Sequence, residues 1–562
     1  MSAQTGTGSL PALAPNASML ERLRFRLVRL LRDPNPVWMR ELRQSARLQR
    51  TPVILMTITV AVALLICSIG GIASVTAEPA KVGVGVFHTF FSLAFALVSW
   101  MGPAVAASTI AGEKNGRTWE ALALTSLPPA RIARGKFLAS YTYLALYLIM
   151  LAPVGALPFL FGGVTATEVV LAFACCLAFG ALSVAFGLAL SSKFQSSASA
   201  IIVTLLVTLI TSLQVYGTLG VGLSMLVHEQ WPAVPQGPPV WLPVAWVRAD
   251  FGLPYVAFLV VLPAIALILP TWLFYEVTIA NLAAPSDDRS TRLRIWTIAS
   301  TLLLTGACAI VTLATRRVEW AIAELSLLFV FFLFVTFLSA GEPIGPSRRV
   351  RVSWERAYRG RAARALGPGV VPATTWLLLL MVTSFAVCIA ASAALLTKAS
   401  DVHALLLFGA QQAAFLTFVA GLSAFFRTRA EGATVPRVLL MLAILSATIG
   451  PWIVLAIAGV VTRGDATMAL AAPSPTYAFM LAESMLSGST KAADLMLPAI
   501  FCAAGYALFG VGLLGMAANR AQKRLTAERE RLSHLEALLD AEVAADAGTH
   551  ASESGGSAPA AS

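Results

Sequence analysis

Charge is scarce in this chain: Asp, Glu, Lys and Arg make up 12% of its 562 residues, against 58% hydrophobic. Its mean hydropathy is +0.79. That balance excludes a soluble globular domain, in which about a quarter of the residues are charged. Cysteine is sparser still. The six, Cys67, Cys175, Cys176, Cys308, Cys388 and Cys502, all fall inside apolar runs, without C-x-x-C spacing or a nearby histidine. A disulfide framework and a metal site are therefore not indicated, and the cysteines read as small packing residues. The alternating apolar pattern of a membrane β-barrel is missing. So is the charged-then-apolar leader of a cleaved signal peptide in the first eighteen residues.

A nucleotide-binding loop is missing too. Its glycines let backbone N–H groups surround phosphates, in the pattern G-x-x-x-x-G-K-[ST]. The nearest match ends at Gly135-Lys136, but Ala130 stands at the first glycine and Phe137 replaces the hydroxyl residue. The chain is therefore expected not to be an enzyme, to hold no cofactor and to have no catalytic or metal-binding residue. No Lys or Arg lies deep in an apolar run, and Glu276 and Glu324 lie near run boundaries. That weighs against a proton relay, which needs a group able to load charge within the membrane.

What is present is a series of apolar runs about as long as a bilayer core, which about 20 helical residues cross. Backbone groups in lipid must be satisfied internally, so the runs predict helices. Spans are expected at about 53–76, 85–110, 138–162, 167–191, 198–226, 254–277, 295–315, 319–340, 373–397, 402–426, 437–462 and 495–518. The fold class is an all-α integral membrane protein of about 12 transmembrane helices. With the N-terminus inside, 33 of the 40 Lys and Arg residues fall on the inner side and seven outside. This asymmetry predicts a multi-pass protein of the inner (cytoplasmic) membrane with both termini cytoplasmic. The net charge of +12 then faces anionic lipid headgroups rather than nucleic acid.

Residues 1–18 are expected to be disordered, and 19–52 to form basic amphipathic helices at the membrane surface. In Met19–Asp33, Leu20, Leu23, Leu27 and Leu30 share one face and Arg22, Arg26 and Arg29 another; after Pro34, Arg40, Arg43, Arg47 and Arg50 recur at helical spacing. A repeat of roughly 230 residues points to two six-helix halves, 53–282 and 283–519. Ala111-Gly112-Glu113 closes the second span and Ala340-Gly341-Glu342 the eighth, while Gly187-Leu188 and Gly421-Leu422 recur near the ends of the fourth and tenth. Residues 520–562 are read as a charged cytoplasmic helix over Arg520–Val543 and an Ala/Gly/Ser-rich tail, disordered from about Ala544.

The connection between the second and third spans, about 111–137, carries the most distinctive run. It reads Ile110-Ala111-Gly112-Glu113-Lys114-Asn115-Gly116-Arg117-Thr118-Trp119-Glu120-Ala121-Leu122, then Thr125-Ser126-Leu127-Pro128-Pro129 and Ile132 to Gly135-Lys136. Thr118 and Glu120 predict a helix start, Trp119, Leu122 and Ala123 an apolar stripe, and Pro128-Pro129 its stop.

This segment resembles the coupling segment of ABC-2-type permeases, I-A-G-E-K…G-T-x-E-x-L-L…T-P-L-x…I-x-x-G-K. The run Asn35-Pro36-Val37-Trp38-Met39-Arg40-Glu41-Leu42 resembles the elbow helix that precedes the first span in one branch of that family. The chain departs from the pattern where Gly116 stands two residues before Thr118 instead of one. The second half carries the Arg-rich stretch Arg348–Arg364 where a second such segment would stand, so this half reads as a degenerate copy or as six accessory spans.

The resemblance implies the permease subunit of an ABC exporter, with ATP used by a separate ATP-binding subunit. Glu113, Lys114, Thr118, Trp119, Glu120, Leu122, Pro128 and Lys136 would couple to that subunit. Asn35, Pro36, Trp38, Arg40 and Glu41 would form the elbow. A homodimer is implied if the second half is only accessory. Two other classes stay open: a 12-span secondary carrier, and a membrane scaffold or assembly factor without transport. The loop lacks the G-x-x-x-D-x-x-G-R-like run expected of a major-facilitator carrier; an ATP-binding protein copurifying with the chain would separate exporter from scaffold.

Overall fold

The computed structural model describes residues 34–46, 50–125, 127–234, 240–284, 286–357, 367, 369–461, 465–489 and 492–554. The expectations for 1–33, and for Ser126, lie outside the described residues. Among the described residues there is no strand, and twelve helices are long and apolar enough to cross a membrane. They match the expected runs one for one, from Leu55–Val75 and Pro79–Asn115 to Thr434–Ala458 and Ala492–Val543. Helix satisfies every backbone group within its own segment, which is why apolar runs of this length take that form.

The chain divides into two compact units, Met1–Trp296 and Thr297–Ser562. In the first, the second span (Pro79–Asn115) is central, and half of its most apolar window is buried. Small residues let the fourth span (Ala166–Ser191) press against it. A Cβ on Gly187 would lie 2.6 Å from the Cα of Pro103, and one on Gly102 would meet the Ser183 hydroxyl at 2.0 Å. Without a hydrophobic drive between helices in lipid, such close approach supplies the packing. Phe90 and Phe91 fill the space beside Phe173 of the fourth span, with Phe91 and Phe173 edge to face at 5.0 Å.

The second unit is built around the tenth span (Ala399–Arg427), 67% of whose window is buried. Its neighbour is the last helix. A Cβ on Gly421 would lie 2.2 Å from the Gly510 carbonyl oxygen, so the two backbones all but touch. In both units short helices stand between the fifth and sixth spans: Trp241–Arg248 in one, Asp465–Ala471 and Tyr477–Leu486 in the other.

Three expectations are corrected. The second span does not end at residue 110 but runs on to Asn115, and Gly116 caps it. The helix expected to run up to Pro128-Pro129 covers only Trp119–Ala123, and Pro129 instead stands in the first turn of the third-span helix, Pro129–Gly155. Proline without an N–H fits a helix start as well as a stop. The last span and the charged C-terminal helix are one element, Ala492–Ser554, of 63 residues. The Ala-rich tail is thus helical through Ser554, in keeping with the high helix propensity of alanine.

Candidate functional site: a charged ring beneath a short helix

The helix Pro36–Ala46, here the elbow helix, starts on a proline that needs no donor there. Asn35 caps it: the Val37 N–H donates to Asn35 Oδ1 at 3.0 Å, and Asn35 Nδ2 donates to the Arg131 carbonyl at 2.7 Å. The cap therefore also fastens the elbow to the start of the third span. Gly135 makes room for this. A Cβ there would lie 2.6 Å from Val37 Cβ and 2.9 Å from Asn35 Oδ1.

The next residue, Lys136, points inward and is wholly buried. Its Nζ lies 3.2 Å from Glu41 Oε1 and 3.1 Å from Glu113 Oε2, the second contact an ion pair without hydrogen-bond alignment. Arg40 closes the figure, 3.0 Å from Glu41 and paired with Glu113. Four side chains thus alternate in sign around a ring, Arg40, Glu113, Lys136, Glu41. Lys136 also donates to the Thr109 carbonyl at 3.0 Å. Burial opposes the Arg40 charge, but hydrogen bonds and fields from Glu41 and Glu113 outweigh it and raise its pKa. The two formal positive and two formal negative charges of the ring sum to zero. A polar cavity of about 440 Å³ opens beside it, lined in part by Gln44, Ser108, Ser140 and Tyr143.

Just past Glu113 comes the short helix Trp119–Ala123, here the loop helix. Trp119 and Leu122 turn down to pack with Val37, Leu127, Ile132 and Leu282. The turn leading into it is a Schellman motif: Thr118 N–H donates to the Glu113 carbonyl at 3.0 Å and Arg117 N–H to that of Lys114 at 3.2 Å. The left-handed position is Arg117, at φ +56°. The resembled segment has its glycine at this place, immediately before the threonine.

The expected coupling residues therefore separate into two sets. Glu113 and Lys136 belong to the ring, Lys114 donates to the Ser192 carbonyl at 2.6 Å, and Trp119 and Leu122 pack inward. Thr118, Glu120 and Pro128 are exposed. Of the elbow residues, Asn35, Arg40 and Glu41 make the contacts above, Pro36 is exposed, and the indole N–H of Trp38 is buried without a partner.

The chain matches no family model, no curated protein and no solved structure.

Two features escaped the sequence reading. Leu124, just past the loop helix, is 83% exposed beside exposed Glu120 and Arg117. At the opposite end of this unit, Glu168 is fully buried and its Oε1 accepts from Arg248 Nε at 2.8 Å. Arg248 also donates to the Gly163 carbonyl at 3.2 Å. The signal was available, since Thr165-Ala166-Thr167-Glu168 has the spacing of a capping box, and that box is formed. Among the described residues, no three His, Cys, Asp or Glu side chains gather as metal ligands.

Proposed function

We propose that this chain is the membrane-spanning subunit of an ATP-binding cassette exporter of the ABC-2 type, driven by a separate ATP-binding subunit. The loop helix is the docking point. The ring end of the first unit and both termini then face the cytoplasm of the cell, and the second unit is a degenerate copy of the first. What carries the reading is a short helix with Glu120 and Leu124 exposed on and just past it, packed through Trp119 and Leu122 on Val37 of the elbow and Ile132 of the third span, at the place where an ion-pair ring joins the end of the second span to those same two elements. An isolated surface loop would pass little force inward; a loop packed on the elbow and the third span moves with the helices that hold it. The exposed leucine offers apolar surface that contact with a partner would remove from water.

The test is copurification of an ATP-binding protein and ATP hydrolysis in liposomes. The chain alone is expected to hydrolyse nothing, and the pair Leu124→Asp with Glu120→Lys is expected to abolish partner binding at an unchanged melting temperature. Stoichiometric hydrolysis by the chain free of any partner, or full partner-driven activity in the double variant, would refute the assignment.

A further inference from the structure

Between the second, fourth, fifth and sixth spans the first unit holds a cavity of about 480 Å³, open along one side. Its size falls within the range of about 300–1,000 Å³ typical of small-molecule sites. The wall contains no Asp, Glu, Lys, Arg or His, and it is overwhelmingly apolar. Water is poorly held in such a space, since an ordered water needs two to four polar partners.

The hydroxyls on the wall are the informative part. Ser99, Ser183, Thr211 and Ser212 each donate to a carbonyl of their own helix, at 2.8–3.1 Å. Thr208 does not. It lines the cavity, is 4% exposed, and its Oγ1 has no hydrogen-bond partner. A threonine in a helix has a carbonyl one turn back within reach, so an unused buried hydroxyl costs about 1–3 kcal/mol unless something else accepts from it.

The fifth span is also locally widened here. Tyr216–Gly222 forms a π-helical turn, and Tyr216, Leu219 and Gly220 contribute to the wall. Such turns recur at functional sites. Trp241 closes one end, its indole N–H donating to the Leu219 carbonyl at 3.2 Å.

We infer that this cavity binds a neutral lipophilic molecule bearing one hydrogen-bond acceptor, a carbonyl or ether oxygen, which the Thr208 hydroxyl engages. A charged ligand would find no partner on the wall, and a pure hydrocarbon would leave Thr208 unsatisfied. Two sources share this chemistry, a lipid of the surrounding bilayer and a hydrophobic solute. Binding here needs no ATP-binding subunit, so this assignment and the exporter reading fail independently.

Benzophenone is the probe: it is neutral, carries one carbonyl, and inserts into nearby C–H bonds on irradiation. With purified full-length protein in detergent, peptide mapping is expected to find the label on cavity residues of the second, fourth and fifth spans. Thr208→Val should cut that labelling about fivefold, the loss of one hydrogen bond, and Ala266→Phe, which fills the wall, should remove most of it. Diphenylmethane, which lacks the carbonyl, should compete poorly. In phosphatidylcholine nanodiscs, loss of labelling identifies bilayer lipid as the occupant, and retention identifies a solute. Label confined to outward residues such as Leu206 and Ile210, or cavity labelling unchanged in Thr208→Val, overturns the assignment. The map on the unaltered protein decides the matter even if Ala266→Phe does not fold.

Discussion

The tripeptide Ala-Gly-Glu occurs at the end of the second span and again at the end of the eighth, and the two copies have different fates. In the first unit the helix continues past Ala111 to Asn115, which sets the Glu113 carboxylate between Lys136 and Arg40. In the second unit the helix stops at Ser339, and Gly341 and Glu342 lie in the turn just beyond it. There the cations serve the backbone. Arg427 Nε donates to the Glu342 carbonyl at 2.6 Å, and Arg437 presses so close to Gly341 that a Cβ would lie 2.0 Å from its guanidinium nitrogen. Guanidinium groups on the last carbonyls of a helix complement its dipole. The same three residues therefore support a charged ring in one place and a capped helix end in the other. The next element along the chain differs as well: the short helix Trp119–Ala123 in one unit, the basic helix Arg348–Ala357 in the other.

Removing Lys136 should break this contrast most visibly. Lys136→Met leaves two carboxylates facing each other with Arg40 alone, and loss of one partner from a buried ion pair costs about 3–5 kcal/mol. Its melting temperature in detergent is expected to fall well below that of Arg427→Met, whose lost contacts are to backbone carbonyls; equal melting would erase the distinction. Glu113→Arg comes next. Three cations would then meet around Glu41, and we expect a loss of about 2–4 kcal/mol. Glu342→Arg should cost less than half as much, and thermal unfolding of the two side by side checks this.

Arg248→Ala extends the comparison to the opposite end of the first unit. Glu168 is left buried and unpaired there, yet Arg248 is more than a third exposed, so about 1–3 kcal/mol is expected. Limited proteolysis of the connection between the fifth and sixth spans should report it as faster cleavage. The smallest effect is a gain. Arg117→Gly relieves a left-handed residue and should stabilise by about 0.5–1 kcal/mol. Arg316 stands at φ +54° in the second unit, so Arg316→Gly should gain as much. A gain at one and not the other would show that Arg117 is held by contacts beyond its own turn.

The twelve spans were legible because hydropathy is a local property summed over about 20 residues. The loop helix was legible as to place and apolar stripe, but not length, since proline marks starts and stops alike. The ring was not legible. Arg40 and Glu113 are 73 residues apart, Glu41 and Lys136 95, and nothing in either stretch names the other. Glu113 at the end of an apolar run reads as a solvated carboxylate, an apparent free handle for a partner. Only the docking of Val37 onto Gly135 brings Lys136 beneath it. Gly135-Lys136, dismissed as a phosphate loop, turns out to hold a glycine for close packing and a lysine for charge.

The unbroken helix Ala492–Ser554 has a mechanical meaning that its composition conceals. Its stem is braced where Leu525 fills the space beside Gly345 and where Glu536 pairs with Arg348. From Glu536 to Ser554 it projects by about 27 Å at 1.5 Å per residue. With no proline between membrane and tip, a tilt of the final span swings the far end like the needle of a gauge. A change of about 10° pivoting at the Glu536 brace displaces that end by about 5 Å over an arm of about 27 Å. Motion too small to see among the packed spans would be written large at the C-terminus.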